Sequence, residues 1–100
     1  MVEWWYYNSL ESEIKTTGME YLNTYRTLLP RVIGHTTVIS IEELISNNYI
    51  DKVVDEDGNN CIGQVIVRKK NTDSYEYETC LKCGTKYVTD SESCVIDTTS

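Results

Sequence analysis

The spacing of apolar residues changes period along the chain, and each period predicts an element. From residue 3 to residue 29, Trp4, Tyr7, Ile14, Tyr21, Leu22, Tyr25, Leu28 and Leu29 recur at intervals that keep to one helical face. Glu11, Glu13, Lys15, Glu20 and Arg26 fall mostly off that stripe. Gly18 lies near it, where a helix can approach a sheet closely, although glycine weakens a helix interior by up to ~1 kcal/mol. Pro30 stops the helix, because the residue before a proline is pushed out of helical geometry.

A short extended piece at Thr37-Val38-Ile39 follows, and Ser40 with Glu43 makes an S-x-x-E capping box. The helix it starts runs from Ile41 to about Asn47, and Tyr49 and Ile50 lead back toward the core. Residues 37–50 therefore read as a short strand and a small helix. Asp55-Glu56-Asp57-Gly58-Asn59-Asn60 is a turn signal. After it the period becomes two, which predicts a strand over Cys61–Lys70, a turn over Asn71–Ser74 and a returning strand over Tyr75–Cys83. Lys86-Tyr87-Val88 is a third short strand, so the antiparallel sheet covers 61–89, and the polar tail frays over 95–100. This order gives one α+β domain spanning 1–100: a long N-terminal amphipathic helix packed on a small antiparallel β-meander.

Composition narrows the function. The chain has 100 residues, enough for one domain, with 40% hydrophobic and 25% charged residues, a globular balance. Its net charge of −7 argues against nucleic acid as a partner, since phosphate binding needs clustered Lys and Arg. The basic cluster Arg68-Lys69-Lys70 reads as a solvated hairpin tip. No stretch approaches the roughly 18 apolar residues of a membrane span, and no basic-then-apolar signal peptide opens the chain. Trp4-Trp5-Tyr6-Tyr7 is nevertheless the kind of cluster that favours membrane–water interfaces. These four residues fit an interface or membrane-proximal surface, next to a membrane segment absent from this chain. They equally fit ordinary core or contact positions.

Four cysteines, at 61, 80, 83 and 94, allow three disulfide pairings. Hairpin geometry favours one. A register that faces Val67 with Tyr77, Val65 with Thr79 and Gly63 with Leu81 puts the apolar members on one face, and it faces Cys61 with Cys83. A one-residue slip would pair side chains that disagree about burial. At a non-hydrogen-bonded position the Cα atoms lie about 4.5 Å apart, within disulfide range. Cys80 then points to the opposite face, and Cys94 is its partner by elimination. The alternative is zinc: Cys80-Leu81-Lys82-Cys83-Gly84 has the C-x-x-C-G shape of a zinc knuckle, with Cys61 and Cys94 completing four ligands. Against it, the other two cysteines form no second knuckle, and a strand would turn Cys80 and Cys83 apart.

Other chemistry finds less support. His35, the one histidine, has no identifiable nucleophile or orienting acid, so no catalytic residues are assigned. Asp55 and Asp57 do not fit the EF-hand frame, and Glu42, Glu43, Glu76 and Glu78 lie on faces predicted to be exposed. No phosphate loop or nucleophile elbow is present, and no cofactor is expected.

The words Ile41-Glu42-Glu43-Leu44-Ile45, then Asp55 through Val67, then Tyr75-Glu76-Tyr77-Glu78-Thr79-Cys80-Leu81-Lys82-Cys83 resemble the globular part of type IV pilin-like and pseudopilin-like surface proteins of Gram-positive bacteria. The resemblance covers roughly residues 20 to 90. It implies an anchoring or polymerising hydrophobic helix, a sheet packed on the helix's lower half, and a disulfide tying the sheet, here matching Cys61 and Cys83. The chain lacks a prepilin cleavage motif. The expectation is a non-enzymatic extracellular or cell-surface domain that meets protein partners or self-assembles, takes no small-molecule substrate, and touches membrane only through a segment absent here. A zinc-stabilised protein-interaction module is the alternative.

Overall fold

The computed structural model describes residues 4–89 and Cys94. Helix α1 (Trp4–Thr24) packs across one face of a four-stranded antiparallel sheet of β1 (Thr36–Ser40), β2 (Ile62–Asn71), β3 (Ser74–Cys83) and β4 (Tyr87–Val88), in the order β1-β2-β3-β4. The short helix α2 (Ile41–Ser46) follows β1 directly. This is the α+β architecture that the apolar pattern predicts.

Helix α1 buries Tyr7, Ile14, Thr17, Gly18, Tyr21 and Leu22. Gly18 sits where the helix meets β2. A Cβ added there would lie 2.9 Å from Val65 Cγ2, closer than two carbons approach without one of them moving. The missing side chain therefore sets the helix–sheet spacing. The helix stops earlier than residue 29. It ends at Thr24, whose hydroxyl donates to the Glu20 carbonyl at 3.2 Å within the last turn. One 3₁₀ turn at Arg26–Leu28 follows, and Leu29 is extended before Pro30, as the proline requires. The predicted start at residue 3 and the predicted frayed tail at 95–100 lie outside the described residues.

The capping box forms by half. Ser40 Oγ accepts from the Glu43 amide at 3.1 Å, but the Glu43 carboxylate turns away from the cap to take the Tyr21 hydroxyl at 2.6 Å. A tertiary bond to a buried phenol has displaced the local one.

Pairing between β2 and β3 sets Val67 against Tyr77, Val65 against Thr79 and Gly63 against Leu81. The hairpin closes at Asn71–Ser74, where Asn71 Oδ1 accepts from the Asp73 amide. Val65, Val67, Leu81 and Cys83 are buried on the helix face, with Ile39 from β1 and Ile41 and Leu44 from α2. Gly63 is also obligatory: a Cβ there would lie 2.2 Å from the Cys80 carbonyl oxygen and 2.8 Å from Ile41.

Candidate functional site

The cysteines occupy both faces of the sheet. Cys61 immediately precedes β2 and Cys83 ends β3. Their Cα atoms are 4.4 Å apart and the two are disulfide-bonded within the helix-face core. Cys80, one step off in parity, faces the other side and is bonded to Cys94 across 5.4 Å. With all four sulfurs in disulfides, none is a thiolate able to ligate zinc, and Cys80 and Cys83 diverge instead of forming a knuckle. Among the described residues no group of three or more His, Cys, Asp or Glu side chains is placed to hold a metal. Two such bonds suit an oxidising environment.

The aromatic quartet divides. Trp4 and Trp5 are 68% and 67% exposed. Tyr6 is half-buried and donates to the Val54 carbonyl at 2.8 Å. Tyr7 is 0% exposed, stacks on Tyr87 with ring centroids 4.9 Å apart, and donates to Glu56 Oε1 at 3.3 Å. Tyr7 is thus a core residue, not part of an outward surface. Helical rotation separates Trp5 from Tyr7 by about 200°, whereas Trp4, three residues before Tyr7 on the same stripe, stays exposed at the first residue of α1. No helix among the described residues is long and apolar enough to cross a membrane.

The inward-turned carboxylates each serve a structural bond. Glu11, from the polar side of the stripe, accepts from Tyr87 Oη at 2.9 Å and from the Thr89 hydroxyl. Burial first, and then this bond, push the Tyr87 phenol up to about 12. The bond to Glu43, followed by burial, raises Tyr21 to about 12 as well. Asp55 Oδ1 closes its own turn by accepting from the amides of Asp57 and Asn59, at 2.8 and 3.0 Å. The bond from Asn59 leads in holding the Asp55 carboxyl below the usual range, against an opposing effect of burial. Lys86 pairs with Asp57, and that bond raises the Lys86 ammonium. His35 is exposed in the loop before β1. The side chains of Asp55 and Asp57 thus serve a turn and an ion pair, and Glu43 is not on an exposed face.

These long-range pairs escape sequence reading, because Glu11 with Tyr87 or Tyr21 with Glu43 carries no local spacing signal. No family model, curated protein or solved structure matches the chain.

Proposed function

We propose that this chain is a non-enzymatic extracellular domain of a structural or adhesive kind, pilin-like in plan, that works by contact with proteins. The observation that carries the reading is the pair of disulfides, one on each face of the sheet. A long helix lying on an antiparallel sheet tied near its end supports the pilin-like plan, and so does the agreement between the register and the resemblance at Cys61 and Cys83. The exposed Trp4 and Trp5 give α1 an apolar end suited to a neighbouring subunit or a membrane interface. Occupation of the inward carboxylates by phenols, hydroxyls and amides supports a structural over a catalytic role.

The test is intact-mass measurement of the protein isolated from its native cells, with and without reductant, joined to proteolysis of whole cells. A mass gain of four protons on reduction, with the domain accessible from outside, is the expected result. Four free thiols carrying one zinc, or a domain shielded inside the cell, would overturn the reading.

A further inference from the structure

Among the described residues, strand β1 is an edge of the sheet, paired on one side only, with β2. The Lys69 amide donates to the His35 carbonyl at 3.1 Å. Antiparallel alternation then turns Thr37 and Ile39 toward β2, and sends the amides of Thr36, Val38 and Ser40 and the carbonyls of Thr36 and Val38 outward. An open edge of this kind is a template for another strand unless charges, proline or a cover block it. Here nothing does so by sequence. From Tyr21 to Ile41 there is no acidic residue, in a chain of net charge −7, and no charge or proline lies within Thr36–Ser40. Val38 is 50% exposed on this edge.

We infer that β1 pairs antiparallel with β1 of a second copy of this chain, continuing the sheet from one subunit into the next. The edge is complementary to itself in that orientation. Before β1 lie the cationic Arg31, the exposed His35, and the outward Val32 and Ile33, 54% and 58% exposed. After it lie the exposed carboxylate of Glu42 and a largely apolar cavity of about 460 Å³ lined partly by Ile41, Ile45 and Ile62, with Lys52 also at its wall. Antiparallel pairing brings Arg31 of each copy toward Glu42 of the other, and the exposed Val32 and Ile33 toward the apolar cavity. Parallel pairing would set like ends together. The outward parity places Val38 against Val38 of the second copy as a hydrogen-bonded pair, with Thr36 against Ser40 on either side. This inference rests on the reading that the domain works by protein contact, and it names the partner.

The experiment is sedimentation of the oxidised protein from low-micromolar to near-millimolar concentration, together with two variants that each add one cysteine, under mild oxidant. Reversible dimerisation is expected. Val38→Cys should cross-link as a dimer, because hydrogen-bonded partners lie about 5.5 Å apart, within disulfide range. Thr36→Cys should not, because its counterpart in the second copy is Ser40. Val38→Pro removes an outward donor without touching the β2 ladder and should weaken association by at least about tenfold. Its fold is checked by its native disulfide map, and Val38→Lys, which keeps the backbone donor, should weaken association likewise by charge. A wild-type protein that stays monomeric throughout, or equal cross-linking of both cysteine variants, would overturn the inference. Either result leaves the disulfide and export reading to its own mass test.

Discussion

On the helix face of the sheet, Val65, Val67, Leu81 and Cys83 are buried against α1 and α2, and Gly18 admits the helix to van der Waals contact. On the outer face, Ile62, Arg68, Glu76 and Val88 are exposed, while Cys80 is buried and bridged to Cys94. The same kind of covalent bond therefore has two settings. Cys61–Cys83 joins residues that strand pairing and a packed core already hold close. Cys80–Cys94 ties residue 94 to a face that no helix among the described residues covers. Loop closure alone gives each bond about 3 kcal/mol, so any difference between them measures what packing adds.

The sharpest way to break this comparison is to remove each bond in turn. Replacing Cys61 and Cys83 together by Ala should cost about 4–5 kcal/mol in urea unfolding, because two buried sulfurs leave the core along with the link, against one for the other bond. Replacing Cys80 and Cys94 together should cost about 3 kcal/mol. Equal losses would show that the helix-face core adds nothing to its bond.

A smaller effect tests the helix–sheet contact directly. Gly18→Leu should destabilise by about 2 kcal/mol, since its side chain must displace Val65. In the Gly18→Leu, Val65→Ala double variant the total loss should be smaller than the sum of the single losses, because the second change makes room for the first. Additive losses in thermal unfolding would place the strain elsewhere.

The smallest effect concerns two phenols on the helix side, Tyr21 buried and Tyr87 half-buried. Tyr21 and Tyr87 stand at about 12 in the folded protein, above the ordinary value near 10. Their neutral forms are favoured by folding. That stabilisation is fully present below pH ~10 and is lost as pH rises from ~10 through ~12. Ultraviolet titration should therefore show late ionisation that coincides with alkaline unfolding. Tyr21→Phe should remove part of the late step and cost about 1 kcal/mol at neutral pH, as expected for one hydrogen bond to a charged acceptor partly offset by burial of the ring.

Much of the architecture was legible because period and register are local or one-dimensional properties. The alternation of Val65, Val67, Tyr77, Thr79 and Leu81 admits one register without burying the wrong side chains, and that register carried Cys61 to Cys83. Gly18 was visible as a glycine near the helical stripe, where a close approach to the sheet was expected. Less was visible where a side chain chose a distant partner over a near one. Glu43 left its cap for Tyr21, and Glu11 crossed to β4. The tyrosine pair Tyr6-Tyr7 was grouped with Trp4-Trp5 by adjacency, whereas helical rotation placed Tyr7 in the core. The β1 edge could be read only once the strand order was known, since nothing in Thr36–Ser40 says which side of it is left open.

The tight turn between β2 and β3 also bears on how the bonds are chosen during folding. A hairpin closes in about 1–10 μs, whereas thiols pair over seconds to hours. Cys61 therefore finds itself opposite a cysteine long before any oxidant reaches it, and strand alternation has already decided that this cysteine is Cys83 and not Cys80. Of the pairings open to four thiols, the reversible step discards the wrong ones cheaply, and the slow step makes the survivor permanent.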